Sequence, residues 1–323
     1  MAKVIVTGGA GFIGSHLCDA LLSLDHDVVC IDNFLTSSED NIAHLKNNSH
    51  FTFIHHDVVK PLPETLHAEY IFHLASPASP NHHSKISYHA LPMETMLVNT
   101  SGTLNLLKFA QEQKAKFLYT STSEVYGDPI EHPQKETYRG NVSTTGPRSV
   151  YDEAKRFGET FVSYFWREKN LDARIARIFN TYGPRMSSAD MRMISIFINE
   201  ALANKPITIF GDGKQTRSLS YVSDTVEGLI RLMFRDHTEG EIVNIGSPDE
   251  HTVLQYAQIV KKLTDSTSEI VFSEKLPQDD PLRRRADITK AKKLLEWEPK
   301  ISLEEGLNRM IEDQKLLRVK GQR

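Results

Sequence analysis

Cysteine is almost absent: Cys18 and Cys30 are the only two in 323 residues. They fall in a predicted helix and a predicted strand of the first unit, the pattern of reduced structural thiols, which argues against a disulfide-stapled secreted domain. Long apolar runs are missing as well. No stretch approaches the roughly 20 residues that cross a bilayer, and the chain opens on a strand and glycine turn instead of a signal peptide. The expectation is a cytoplasmic protein without a membrane segment. Neither sign of charge dominates, with 38 Lys and Arg against 42 Asp and Glu. The basic residues are dispersed apart from Arg283-Arg284-Arg285, so no nucleic-acid partner is expected. Internal repeats and low-complexity tracts are also missing.

A content of 39% hydrophobic and 25% charged residues suits a soluble chain with one large core or two unequal domains. The β-branched run Lys3 to Thr7 ends in glycines, Phe12 to Leu24 has helical spacing, and Asp27 to Asp32 is a second apolar run. Such alternation continues through Phe51 to Ile54, Tyr70 to Leu74, a helical stretch from about Pro92 to Gln113, and Lys116 to Thr120. Further strands are expected at Ala173 to Ile178 and Ile242 to Ile245. Continuous apolar strands separated by helices predict an α/β fold: a Rossmann-type doubly wound parallel sheet with a smaller C-terminal substrate-binding domain. The first domain is assigned residues 1–180 and 220–249, the second 181–219 and 250–323.

The turn Gly8-Gly9-Ala10-Gly11-Phe12-Ile13-Gly14 stands between a strand and a helix, where a helix N-terminus receives a pyrophosphate. Asp32 ends the next strand, placed to accept hydrogen bonds from a ribose 2′-hydroxyl. Its charge would repel a 2′-phosphate, so NAD is expected over NADP. Asn33 and Phe34 follow it. Asp57 and Val58, and Leu74, Ala75 and Ser76, lie at carboxyl ends of later strands, where an open parallel sheet forms its ligand crevice.

Tyr151 and Lys155 share a helix face at i and i+4, so an ammonium can sit near the phenol and favour its ionised form. A phenol made more acidic takes a proton from a sugar hydroxyl while a nicotinamide takes the hydride. Thr122 ends a strand at the same sheet edge. The doublets His55-His56 and His82-His83 do not form a metal set, because neighbours on a strand point to opposite faces and no Cys or carboxylate ligands accompany them.

With these motifs together, the chain resembles an extended short-chain dehydrogenase/reductase of the nucleotide-sugar epimerase, dehydratase and decarboxylase group over nearly its full length. Thr122-Ser123-Glu124 with Val125-Tyr126-Gly127-Asp128-Pro129 is similar to the UDP-glucuronate decarboxylases, the UDP-xylose synthases. So are His55-His56-Asp57-Val58, Leu74 to Pro80, Ala176 to Met186, Gln215-Thr216-Arg217 and Asp279-Asp280-Pro281 leading into Arg284. The resemblance implies oxidation at C4 of a uronic acid by bound NAD, loss of CO2 from the β-keto acid, and re-reduction to a pentose. It implies that Thr122, Tyr151 and Lys155 run the hydride steps. Glu124 and Ser123 then serve decarboxylation and protonation at C5, and Arg284 faces the carboxylate or enolate. Asn180, Arg192, Arg217 and Tyr221 are placed around the nucleotide diphosphate and uridine, and Thr181 beside the cofactor. A homodimer through the helices at Pro92 to Gln113 and Val150 to Glu168 is also implied. Two departures fall at the sugar end: residues 81–92 run a few residues longer than the family pattern, and Leu97 replaces a usual lysine. A 4-epimerase, a 4,6-dehydratase and a non-catalytic NAD-sensing regulator remain as alternatives.

Overall fold

The apolar runs pair side by side, and the helices between them cover both faces. The computed structural model describes residues 1–273, 275–276 and 280–319. Six strands, β1 (Lys3–Thr7), β2 (Asp27–Asp32), β3 (Phe51–His55), β4 (Tyr70–His73), β5 (Lys116–Thr122) and β6 (Ala173–Ile178), are followed by others of two to four residues. These are β7 (Thr181–Tyr182), β8 (Ile207–Ile209), β9 (Thr216–Ser218), β10 (Ser220–Tyr221), β11 (Ile242–Ile245), β12 (Glu250–Thr252) and β13 (Ile270–Phe272). The central sheet has seven strands in the order β11-β6-β5-β4-β1-β2-β3. Every pairing in it is parallel.

Alternate side chains of each strand enter two cores. Val4, Val6, Val28, Cys30 and Phe72 pack on α1 (Phe12–Ser23) and the helix Val222–Phe234 through Leu17, Leu21, Val226 and Leu229. On the opposite face Ile5, Val29, Ile31, Ile71 and Phe117 meet Leu106, Leu107, Val162 and Phe165. Strands buried on both faces need apolar residues at consecutive positions, which is why they read as unbroken runs.

The stretch expected as one helix from Pro92 to Gln113 is α2 (Pro92–Leu97), one π-turn at Val98–Gly102, and α3 (Thr103–Gln113). Inside the turn, Asn99 donates to the Ser76 hydroxyl at 2.9 Å and the Thr95 carbonyl at 2.8 Å, and accepts from the Tyr119 phenol at 3.3 Å. Side-chain bonds therefore secure the extra residue, and they tie the helix to the end of β4.

Strand order reverses at β1, whose neighbours β2 and β4 are reached by crossovers on opposite sides. At such a switch point the carboxyl ends diverge and leave a crevice. The two-stranded sheets β7/β10, β9/β12 and β8/β13 supply Thr181, Arg217 and Thr208 to its far wall. Among the described residues no helix is long and apolar enough to cross a membrane.

Candidate active site

The crevice is a cleft of about 1410 Å³, above the roughly 300–1,000 Å³ of a pocket for one small ligand. It has room for a dinucleotide and a second molecule.

Its first wall is the turn after β1. Gly8 has φ +71°, and a Cβ there would meet the Ala75 nitrogen at 2.7 Å, while one at Gly14 would collide with the Gly8 carbonyl. A Cβ at Gly11 would meet only that carbonyl, at 3.1 Å, leaving the space above open to a ligand. Helix α1 starts there without a side-chain cap, so its first-turn N–H groups suit a pyrophosphate. Buried Asp32 accepts from the Ala10 N–H at 3.0 Å, the Phe34 N–H at 2.9 Å and the Ser37 hydroxyl at 2.7 Å. The carboxylate expected to meet a ribose thus also fastens the glycine turn to the end of β2. These residues fit a dinucleotide.

The second wall carries the acid–base pair, on β5 and the first turns of α4 (Ser149–Lys169). Burial pushes the Tyr151 phenol above its ordinary value, against a hydrogen bond from the Thr122 hydroxyl and the charge of Arg192. The Lys155 ammonium donates to the Thr120 carbonyl at 2.8 Å and lies 5.9 Å from the Tyr151 ring centroid. Burial lowers Lys155 to about 7. Burial thus disfavours both charged forms, the ammonium of Lys155 and the phenolate of Tyr151.

The third wall holds Glu124, on the short 3-10 turn that follows β5. Its carboxylate meets the Arg148 guanidinium at 2.5 Å and that of Arg284 at 3.0 Å. Burial disfavours the charge, but the two guanidiniums outweigh it and hold Glu124 well below the usual carboxylate range. Arg148 continues to Asp280 at 3.3 Å, and Asp280 to Arg217 at 2.8 Å.

Most of the expected site residues line this cleft: Gly8, Gly11, Phe12, Ile13, Gly14, Asp32, Asn33, Asp57, Val58, Leu74, Ala75, Ser76, Thr122, Ser123, Glu124, Tyr151, Lys155, Asn180, Thr181, Arg192 and Arg217. Phe34, Arg284 and Tyr221 do not. Phe34, with φ +58°, turns away to stack on Phe53 at 4.9 Å. Arg284 lies behind Glu124, 1% exposed, donating to the Ser123 hydroxyl at 2.9 Å and the Gly127 carbonyl at 2.8 Å. It reaches the cleft only through those partners. Tyr221 precedes the helix Val222–Phe234 and packs edge-on against Tyr182 at 5.6 Å. Asp279 lies outside the described residues.

Sequence reasoning missed Arg148, Tyr88 and the part played by Asp280. Arg148 stands three residues before Tyr151 and so shares its helical face, a signal that was readable. Tyr88 lies in the long segment 81–92, where no periodicity marks it. Its ring stacks on Tyr151 at 4.9 Å with 6° between the planes.

A glycine turn at the switch point of a parallel sheet, with a Tyr and Lys one helical turn apart on its edge, defines an extended short-chain dehydrogenase/reductase. The chain belongs to the family whose model is described as GDP-mannose 4,6 dehydratase, matched over residues 5–310. It is 51% identical over 311 residues to UDP-glucuronic acid decarboxylase 1 of Arabidopsis thaliana, covering 96% of this chain and 69% of that protein. With UDP-glucuronic acid decarboxylase 1 of Danio rerio it shares 48% over 310 residues, 96% of this chain and 72% of that one. Among solved structures, the UDP-glucuronic acid 4-epimerase of Bacillus cereus in complex with UDP-glucuronic acid and NAD superposes with TM-score 0.84 at 31% identity. It covers 98% of this chain and 99% of the epimerase.

Proposed function

We propose that this protein is a UDP-glucuronate decarboxylase that uses bound NAD to convert UDP-glucuronate to UDP-xylose through a 4-keto intermediate. The observation that carries the reading is Glu124, anionic between Arg148 and Arg284 and lining the same cleft as Thr122 and Tyr151. Relatives about half identical over nearly the whole chain bear that activity in their names.

NAD, when bound, supplies a hydride acceptor for C4 and returns the hydride after CO2 has left. The chain's residues handle protons and charge. Gly11 and the start of α1 take the pyrophosphate, and Asp32 the ribose. Tyr151 in its ionised form, with Arg192 offsetting the negative charge and Thr122 beside it, accepts the proton of the C4 hydroxyl. Loss of CO2 leaves the bonding electrons on an enolate whose oxygen faces the same two hydroxyls, as stabilisation of developing charge requires. Glu124 does not donate a proton while both guanidiniums hold it. A substrate carboxylate that draws on Arg148 raises the affinity of Glu124 for a proton; Glu124 takes one from solvent and, with Ser123, delivers it to C5 once CO2 has left. Asn180, at the end of the first domain, and Arg217, from the part of the chain at 181–219 and 250 onward, face the nucleotide.

We place the protein in the cytoplasm, in keeping with two buried free cysteines, and as a homodimer. Met93, Leu97, Phe157 and Tyr164, on α2 and α4, are 40–56% exposed. Exposed apolar side chains concentrated on two adjacent helices mark an interaction face.

Supplying the purified protein with UDP-glucuronate and following CO2 and a pentose nucleotide by mass spectrometry tests the function. Epimerisation to UDP-galacturonate without CO2 would instead support the 4-epimerase alternative.

A further inference from the structure

Tyr151 is not held by its hydroxyl alone. Four aromatic rings make a column that starts at the catalytic phenol and ends at the surface, three of them from the segment 81–92. Tyr151 stacks on Tyr88 at 4.9 Å, Tyr88 touches His89 at 4.4 Å, and His89 stacks on His82 at 3.8 Å with 22° between planes. The segment is anchored where it begins. Ser79 donates to the Asp190 carbonyl at 2.5 Å, Asn81 to the Met191 carbonyl at 2.8 Å, and Ser84 to the Ala189 carbonyl at 2.5 Å. At its far end it runs into α2.

Tyr88 is fully buried, yet its hydroxyl has no hydrogen-bond partner among the described residues. Its ring is therefore located by packing: Tyr151, His89, and the Arg148 guanidinium at 6.0 Å from its centroid. His89 is the member of the column with a reason to be fixed. Its Nε2 is buried without a partner among the described residues. Burial, His82 and Arg148 together lower His89 to about 4, so a neutral ring stacks there at ordinary pH. The charged and titratable groups facing it are His82 from its own segment and Arg148 from the start of α4. Glu124 and Asp152 act on Tyr88 behind it.

We propose that His89, backed by His82, is a positioning residue that fixes the Tyr151 ring through Tyr88. This inference rests on the catalytic role given to Tyr151 above. Tyr151 needs its oxygen aligned with the reacting hydroxyl, and a ring free to shift samples unproductive placements. The column restricts that freedom by stacking, with no competing hydrogen bond to the phenol oxygen.

The test compares His89→Ala, His89→Phe and His89→Lys by kinetics and by fluorine NMR of 3-fluorotyrosine-labelled protein with NAD, the Tyr151 resonance assigned with Tyr151→Phe. His89→Ala should lower kcat about tenfold with KM changed less than about twofold, the signature of misplacement without lost binding. Its Tyr151 resonance should shift and broaden. His89→Phe, a neutral ring, should restore both, and His89→Lys neither. His82→Ala, at an exposed position, gives a smaller effect in the same direction if the proposal holds. Wild-type kcat and an unmoved Tyr151 resonance in His89→Ala would overturn it, as would failure of folded His89→Phe to restore either readout. The resonance is read without turnover. A wild type that releases no CO2 from UDP-glucuronate therefore overturns the decarboxylase reading while leaving the column to be judged by NMR.

Discussion

Arg148 and Glu124 meet at 2.5 Å across 24 positions of sequence, and the same guanidinium reaches Asp280 at 3.3 Å. One cation thus ties the turn after β5 to the start of the catalytic helix and to the chain before Arg284. Its partners are nearly buried, so the cluster holds only while its charges balance.

Glu124→Gln should abolish most pentose formation from UDP-glucuronate while NAD still binds. It leaves two buried guanidiniums short of a counter-charge and should lower stability by about 3 kcal/mol. Arg284→Ala should cause the same catalytic loss through Glu124 and Ser123. Product analysis with urea denaturation checks both, and wild-type rates in both variants would remove the cluster from the chemistry.

The pair also sets an acid dependence. Glu124 is lowered from 4.5 to about 2, so its contribution to stability is complete above pH 4.5 and is lost as pH falls from there toward 2. Melting curves across that window should show a steeper acid loss for the wild type than for Glu124→Gln.

Tyr151→Phe should keep the fold and NAD binding and lose at least about a hundredfold in turnover, the scale of a general acid–base contribution. Activity within a few-fold of the wild type would take Tyr151 out of the mechanism.

Lys155→Met should lose activity and weaken NAD binding, yet gain stability at neutral pH. Lys155 is lowered from 10.5 to about 7, so between these values the unfolded chain binds more protons and wild-type stability rises with pH. The variant should lack that rise in denaturation measured from pH 7 to 10.5.

Asp32→Ala combined with Asn33→Arg should shift preference from NAD toward NADP by lifting the repulsion on a 2′-phosphate. It also orphans the N–H groups of Ala10 and Phe34, a cost of about 1–3 kcal/mol each. Affinities for both cofactors, beside a melting curve, separate the two effects.

Phe157→Glu should convert a dimer to monomer in sedimentation at micromolar concentration. Phe157 is 49% exposed and lies tilted against Phe161 at 4.6 Å, so a charge there spoils an apolar face without opening the core. A wild type that sediments only as monomer would remove the dimer from the proposal.

The parallel strands, the glycine turn and the Tyr151–Lys155 spacing were legible because each depends on neighbours in sequence: backbone sterics, strand alternation and helical period. The π-turn at Val98–Gly102 was not, since Asn99 donates to Ser76, beyond the end of β4, and accepts from Tyr119 on β5.

The sequence by itself determined the fold class, the cofactor and the residue types of the chemistry. Only the tertiary structure decided their electrostatics. Burial weakened Lys155, two guanidiniums from distant segments made Glu124 a fixed anion, Arg284 went behind it, and Tyr88 from the long segment came to rest on Tyr151. Desolvation and pairing act through space over a few ångströms, and partners such as Glu124 and Arg284, 160 positions apart in the chain, leave no periodic trace in sequence.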